Sequence, residues 1–240
     1  MNQHHIEILD LIVKHSGTPT KHTYLDDYLG NDHPRYPINI PTLRKLASAW
    51  MKDNLDLSAK EFASLISSLM EGKSSTEKTT GGILLDYATK EQRSFSPKLF
   101  NSWLNHIKGW AEIDSLCTSK YTATEVLNQW DIWEPQLISF SKSKDITKRR
   151  ASIVVLCVPL RKTNDKRLAE LALVNIDRLK HEDDVLITKA ISWVLRTMIK
   201  HHKKVVADYL KLNQDTLPKI AVRETMTKLK TGTKTKRKTS

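Results

Sequence analysis

Glycine is scarce in this chain, with 7 among 240 residues, where an average composition gives about 7%. So few flexible positions exclude a turn-rich all-β fold and a collagen-like repeat. Cysteine is scarcer still. Cys117 and Cys157 stand forty positions apart with no C-x-x-C spacing, which excludes a disulfide framework and offers no zinc pattern, so a reducing cytoplasm is the expected location. No stretch approaches about 18 consecutive apolar residues, so no membrane-spanning helix is expected. Residues 1–14 carry Glu7 and Asp10 inside their apolar part and have no small-residue cleavage site, which argues against a signal peptide. The chain has no GK[ST] after its GG pair, no G-x-G-x-x-G, no H-E-x-x-H and no G-x-S-x-G. Neither a nucleotide cofactor nor a catalytic metal is therefore expected. The pairs His4–His5 and His201–His202 do not change this, because adjacent rings on a helix point about 100° apart.

What the chain has in excess is positive charge. Lys and Arg number 39 against 27 Asp and Glu, a net charge of +12, and such a balance points to a polyanion: nucleic acid or an acidic membrane surface. The excess is uneven. Residues 201–240 hold eleven basic and three acidic side chains, a balance of +8 that leaves +4 for the rest, so any basic surface there must be local. The last part, KLKTGTKTKRKTS from Lys228, has almost nothing apolar to offset the entropy of ordering. It is expected to be a disordered basic tail over 228–240, following one folded domain over 1–227 that no Gly/Ser-rich linker interrupts.

The hydrophobic period is helical throughout. IEILDLIVKH, PTLRKLASAWM, SAKEFASLISSLM, PKLFNSWLNHI, RRASIVVLCVPL, DKRLAELALVNIDRL and VLITKAISWVLRTMI place apolar residues at i, i+3, i+4 and i+7. Pro41, Pro97 and Pro218 stand where such segments begin, and Ser58 and Asp165 fit the N-cap position. Serial helices with short polar links describe antiparallel pairs. Periodicity alone leaves a bundle and a HEAT-type solenoid of about 40-residue repeats both open.

Three segments carry chemistry. In KGWAEIDSLCTSKY, Trp110 and Asp114 fall within about 40° on a helical wheel, with Cys117 and Tyr121 continuing the stripe. In VLITKAISWVLRTM, the core face is Ile187, Ala190, Ile191, Val194, Leu195 and Met198, while Trp193 lies off it between Lys189 and Arg196. An indole beside two cations can cap a core, or it can meet a DNA backbone. In KDITKRRASIVVL, Lys148, Arg149 and Arg150 open an apolar helix, although cations are unfavourable at the positive helix N-terminus. Either a bound phosphate or acidic side chains supplied by the fold would offset them.

Together these segments resemble the DNA alkylation repair family of HEAT-repeat DNA glycosylases, the AlkD-like proteins. The residues that carry the resemblance are the W-x-x-x-D of WAEID, the R-A-x-I of RRASIVVL, and KAISWVLR, which is similar to the family's KAIxWxLR. The resemblance implies an all-α solenoid of degenerate HEAT-like helix pairs, curved around a basic concave cleft. It implies Trp110, Asp114 and Arg150 as the catalytic group, Trp193 in the same cleft, and Tyr28 of LDDYLGND as a further aromatic near the lesion. Lys148, Arg149, Lys189 and Arg196 are the cations expected on DNA. Ala111 and the pair Gly81–Gly82 depart from the family pattern. The implied function is excision of cationic alkylated purines, such as 3-methyladenine, 7-methylguanine or bulkier N3 and N7 adducts, in base excision repair. The partner is double-stranded DNA containing such purines, bound by a monomer without metal or nucleotide cofactor. The expected location is the cytoplasm, on the nucleoid when DNA is bound. The competing readings are a non-catalytic binder of unusual or branched DNA on the same scaffold, and a protein-interaction scaffold.

Overall fold

The structure is a computed structural model that describes residues 1–20 and 30–235. Among the described residues it is all-α, with no strand and one isolated antiparallel bridge between Thr20 and Arg35. The chain divides into two compact units, Met1–Tyr121 and Thr122–Ser240. No linker composition marks that division, which falls inside a helix.

In the first unit the described helices are α1 (Gln3–Ser16), α2 (Ile40–Asp53), α3 (Ala59–Met70), α4 (Ser75–Tyr87), α5 (Leu99–Trp103) and α6 (Gly109–Cys117). Helix α7 (Lys120–Asn128) spans the division. The starts follow from local chemistry. Pro41 sits in the first turn of α2, where its missing N–H costs nothing, and Ser58 forms a capping box with Glu61 at α3. Ser74 does the same with Glu77 at α4. Helices α2, α3 and α6 all pack on α4, whose interior Ile83, Leu84 and Leu85 are buried. PKLFNSWLNHI forms only the short helix Leu99–Trp103, yet Phe100 and Trp103 are fully buried and the Trp103 indole donates to Ser67 Oγ at 2.8 Å.

The second unit contains α8 (Trp130–Ser141), α9 (Ile146–Val154), α10 (Cys157–Lys162), α11 (Lys166–Leu179), α12 (Val185–Asn213) and α13 (Lys219–Thr231). RRASIVVLCVPL is expected as one helix and is two. Pro159 has no N–H to give the carbonyl four residues back, and the helix is interrupted at Val155–Leu156. Helix α12 packs on α9, α10, α11 and α13 through Ile187, Ala190, Ile191, Val194, Leu195 and Met198, each fully buried. Burying one such Ile or Leu contributes about 1.5–3 kcal/mol, against about 0–1 kcal/mol for an exposed ion pair, so this apolar stripe places α12. At His202 the helix kinks (φ −125°, ψ 38°).

The basic stretch from Lys228 starts inside a helix. Helix α13 continues to Thr231 and ends on Gly232, whose φ of 76° and amide bond to the Lys228 carbonyl form a left-handed cap. Thr225 is fully buried, and Glu224 holds that last stretch to α12 through its ion pair with Arg196 and the bond it accepts from Ser192 Oγ. Among the described residues no helix is long and apolar enough to cross a membrane.

Candidate functional site

Helix α6 begins at Gly109, whose φ of 66° turns the chain into the helix, and it is only nine residues long. Glu112, Ile113, Leu116 and Cys117 are buried, whereas Trp110 and Asp114 are half-buried. The two side chains expected to share a stripe do lie on the face that is not sunk into the unit. The stripe does not reach Tyr121. The helix stops at Thr118, whose N–H and hydroxyl both bond the Asp114 carbonyl, and Tyr121 belongs to α7, buried and stacked on Phe95 at 4.4 Å.

The Gly81–Gly82 pair has a packing reason. A Cβ on Gly82 would stand 2.6 Å from the backbone carbonyl of Ser115, and one on Gly81 would stand 2.6 Å from the Met70 methyl. The glycines let α4 press against the helix that carries Trp110 and Asp114. Ser115 then donates to the Thr79 carbonyl at 3.0 Å. Gly82→Ala would force that contact apart, costing about 1–3 kcal/mol in overpacking.

In the second unit, Arg150 is 4% exposed and its guanidinium donates to the Leu186 carbonyl in the first turn of α12. This bond ties α9 to the helix bearing Trp193. Trp193 itself is half-buried, off the apolar stripe, and its indole N–H meets no hydrogen-bond partner among the described residues. Lys189 is half-buried on the same helix.

Two of the expected DNA-binding cations are engaged within the unit. Arg149 donates from Nε and Nη2 to both oxygens of Glu182, at 2.8 and 3.1 Å, and from Nη1 to the Ser143 and Lys144 carbonyls. The charge opening α9 is therefore offset by an acidic side chain of the fold. Arg196 is equally committed: its Nε lies 3.2 Å from Ser192 Oγ and 3.3 Å from Glu224 Oε2, at 15% exposure. Burial pushes its pKa down, against the opposing effect of Glu224. The sequence showed Arg196 beside Trp193 but not the carboxylate of α13 beneath it. Lys148 is half-buried and makes no ion pair among the described residues. A consequence separates these neighbours. Lys148→Ala should reduce the salt slope of DNA binding by about one. Arg149→Ala should instead lower the melting temperature and leave that slope nearly unchanged, as read by fluorescence anisotropy over a salt series and by thermal unfolding.

Tyr28 lies outside the described residues, as do residues 236–240 of the basic tail. Among the described residues no group of three or more His, Cys, Asp or Glu side chains is placed to hold a metal, and the two cysteines are buried and form no disulfide.

A search of the curated proteins returns no match. Among solved structures, one titled a predicted DNA alkylation repair enzyme from Enterococcus faecalis is similar at a TM-score of 0.68 and 17% identity, covering 87% of this chain and 97% of that one. At that identity the likeness is one of fold. The family of DNA alkylation repair enzymes matches residues 13–229, nearly the whole chain, and the chain belongs to that family.

Proposed function

We propose that this member of the DNA alkylation repair family is a monofunctional DNA glycosylase for cationic alkylated purines. The observation that carries the reading is the pair Trp110 and Asp114, one turn apart on α6 and only half-buried on a helix whose Glu112, Ile113, Leu116 and Cys117 are buried. An N3- or N7-alkylated purine is already a cationic leaving group, so breaking its C1′–N bond sends the electron pair to a base that departs neutral. Little general acid is needed. The demand falls on the sugar, which gains oxocarbenium character. A carboxylate opposes that charge and aligns a water to form the new C1′–O bond, as in sugar hydrolases, and takes up the water's proton. Asp114 has this role.

Trp110 offers its π face to the deoxyribose as its positive charge develops, and Trp193 is an aromatic face for DNA. Arg150 fixes the register on a phosphate, with Lys148 and Lys189 adding backbone contacts, and Tyr28 supplies a further aromatic near the lesion. The protein acts on duplex DNA as a monomer. The basic stretch after Gly232 adds affinity that does not depend on sequence. Arg149 and Arg196, held by Glu182 and Glu224, are assigned to the architecture.

The test is the product. A methylated duplex should acquire alkali-labile abasic sites at its methylpurines when incubated with the protein. Tighter binding to branched than to linear DNA, with no abasic sites formed, would support the non-catalytic alternative.

A further inference from the structure

The amide of Lys108 opens α6 with no side-chain cap from the N-cap residue. Its donor is satisfied from the other direction, by Glu112 Oε2 at 2.9 Å. The Glu112 side chain is 0% exposed. Its Oε1 accepts from Asn31 Nδ2 at 2.6 Å and from His33 Nδ1 at 3.0 Å, and Oε2 lies 3.2 Å from the same ring nitrogen. Asn31, also buried, gives a second bond to Ser75 Oγ at the first residue of α4. Further bonds fasten the same segment to α4, from the Tyr36 amide to Thr76 Oγ1 and from the Ser75 amide to the Pro34 carbonyl. Lys78 is buried one turn further along α4, where burial pushes its pKa down against the opposing effect of Glu112. One carboxylate thus joins the start of α6, the start of α4 and the segment around 31–33.

Glu112 lies between Trp110 and Asp114 in sequence but about 200° from Trp110 around the helix. It pulls inward on the face opposite the pair. Glu112 adds a polar anchor to the apolar burial of Ile113, Leu116 and Cys117 and to the seat of Ser115 against Gly82, and a side chain about 6 Å from a helix axis moves about 1 Å for a 10° turn. A misplacement of about 1 Å at a reacting centre costs about 10²-fold in rate. We infer that Glu112, held by Asn31 and His33, is a positioning residue that fixes the rotational setting of α6, and with it Trp110 and Asp114, for the glycosylase reaction on which this inference rests.

The test uses Glu112→Gln in the full chain, which keeps the size and one acceptor oxygen but loses the charge. Single-turnover excision of 7-methylguanine per folded protein should fall about 10- to 100-fold, while affinity for the same duplex stays within about threefold. A stabilising role alone would lower the melting temperature and leave the rate of the folded fraction unchanged. That result overturns the inference.

A second readout does not require excision. With 5-fluorotryptophan incorporated and the Trp110 ¹⁹F resonance assigned through Trp110→Phe, Glu112→Gln should move or broaden that resonance and leave Trp50 in place. If the wild type released no base, the glycosylase reading would fail, and an altered Trp110 resonance would still support the positioning role. An unmoved resonance overturns it in either case. Should Glu112→Gln fail to fold, Asn31→Ala and His33→Ala each remove one donor, and the same two measurements apply.

Discussion

Asp114→Asn is expected to reduce release of methylpurines from methylated duplex DNA by at least about 10²- to 10³-fold, the scale on which removing one preorganised electrostatic stabiliser acts. The substitution is nearly isosteric, so α6 keeps its packing. The bonds from Thr118 to residue 114 go to its backbone carbonyl and survive the change. What disappears is the negative charge opposite the developing oxocarbenium and the acceptor for the attacking water's proton. DNA affinity should be retained or slightly improved, since a carboxylate near phosphates opposes binding. Single-turnover release measured beside anisotropy binding separates the two. Full excision by Asp114→Asn would remove Asp114 from the mechanism.

The second large effect is on stability. Glu77 is 3% exposed, and its carboxylate accepts from His5 Nε2 at 3.0 Å, from the Ser74 amide at 2.7 Å and from the Ser74 hydroxyl at 2.5 Å. His5, 1% exposed, bonds Ser68 Oγ at 2.8 Å with its other nitrogen, so the pair joins α1, α3 and α4. Glu77→Ala would leave a buried imidazole and a helix-start amide without their acceptor. Breaking a buried pair in this way costs about 3–5 kcal/mol, which for a chain of this size lowers the melting temperature by about 10 °C.

The same group gives the sign of an acid effect. Burial alone would raise the Glu77 pKa, but the bonds from His5 and Ser74 outweigh it and hold it below the ordinary glutamate value of 4.5. The unfolded chain therefore binds the proton more readily. Glu77's contribution is present above that ordinary value and is lost as the pH falls through the lower folded one. A pH series of melting temperatures on wild type and Glu77→Ala should converge in acid. Parallel curves down to pH 3 would contradict the assignment.

The sequence revealed most about residues whose roles are set locally. The N-caps Ser58 and Asp165, Pro41 and the buried stripe of α12 stand where periodicity and capping place them, because a helix start and an apolar face depend on residues within a few positions. The Trp110–Asp114 face was legible for the same reason. Pairings between distant positions were not. Arg149 with Glu182 and Arg196 with Glu224 each join residues about thirty positions apart, and a lone sequence gives no sign of which carboxylate will meet a cation.

Glu112 was hidden in the same way. Beside Trp110 it reads as one more surface acid, and only Asn31 and His33, some eighty positions earlier, make it a buried anchor. The Gly81–Gly82 pair shows the converse. Its low helix propensity marks a departure from the family pattern, and the reason lies in the backbone of Ser115 against Gly82.

The measurement that tests the central claim most directly uses a duplex carrying a single 7-methylguanine, incubated with excess wild-type protein without added metal or nucleotide, with the small-molecule products identified by mass spectrometry. The account predicts free 7-methylguanine in stoichiometric yield and one abasic site at the lesion position, with no release from the unmodified duplex. Intact DNA recovered with the methylated base still attached, together with salt-sensitive binding of the same duplex, would contradict it.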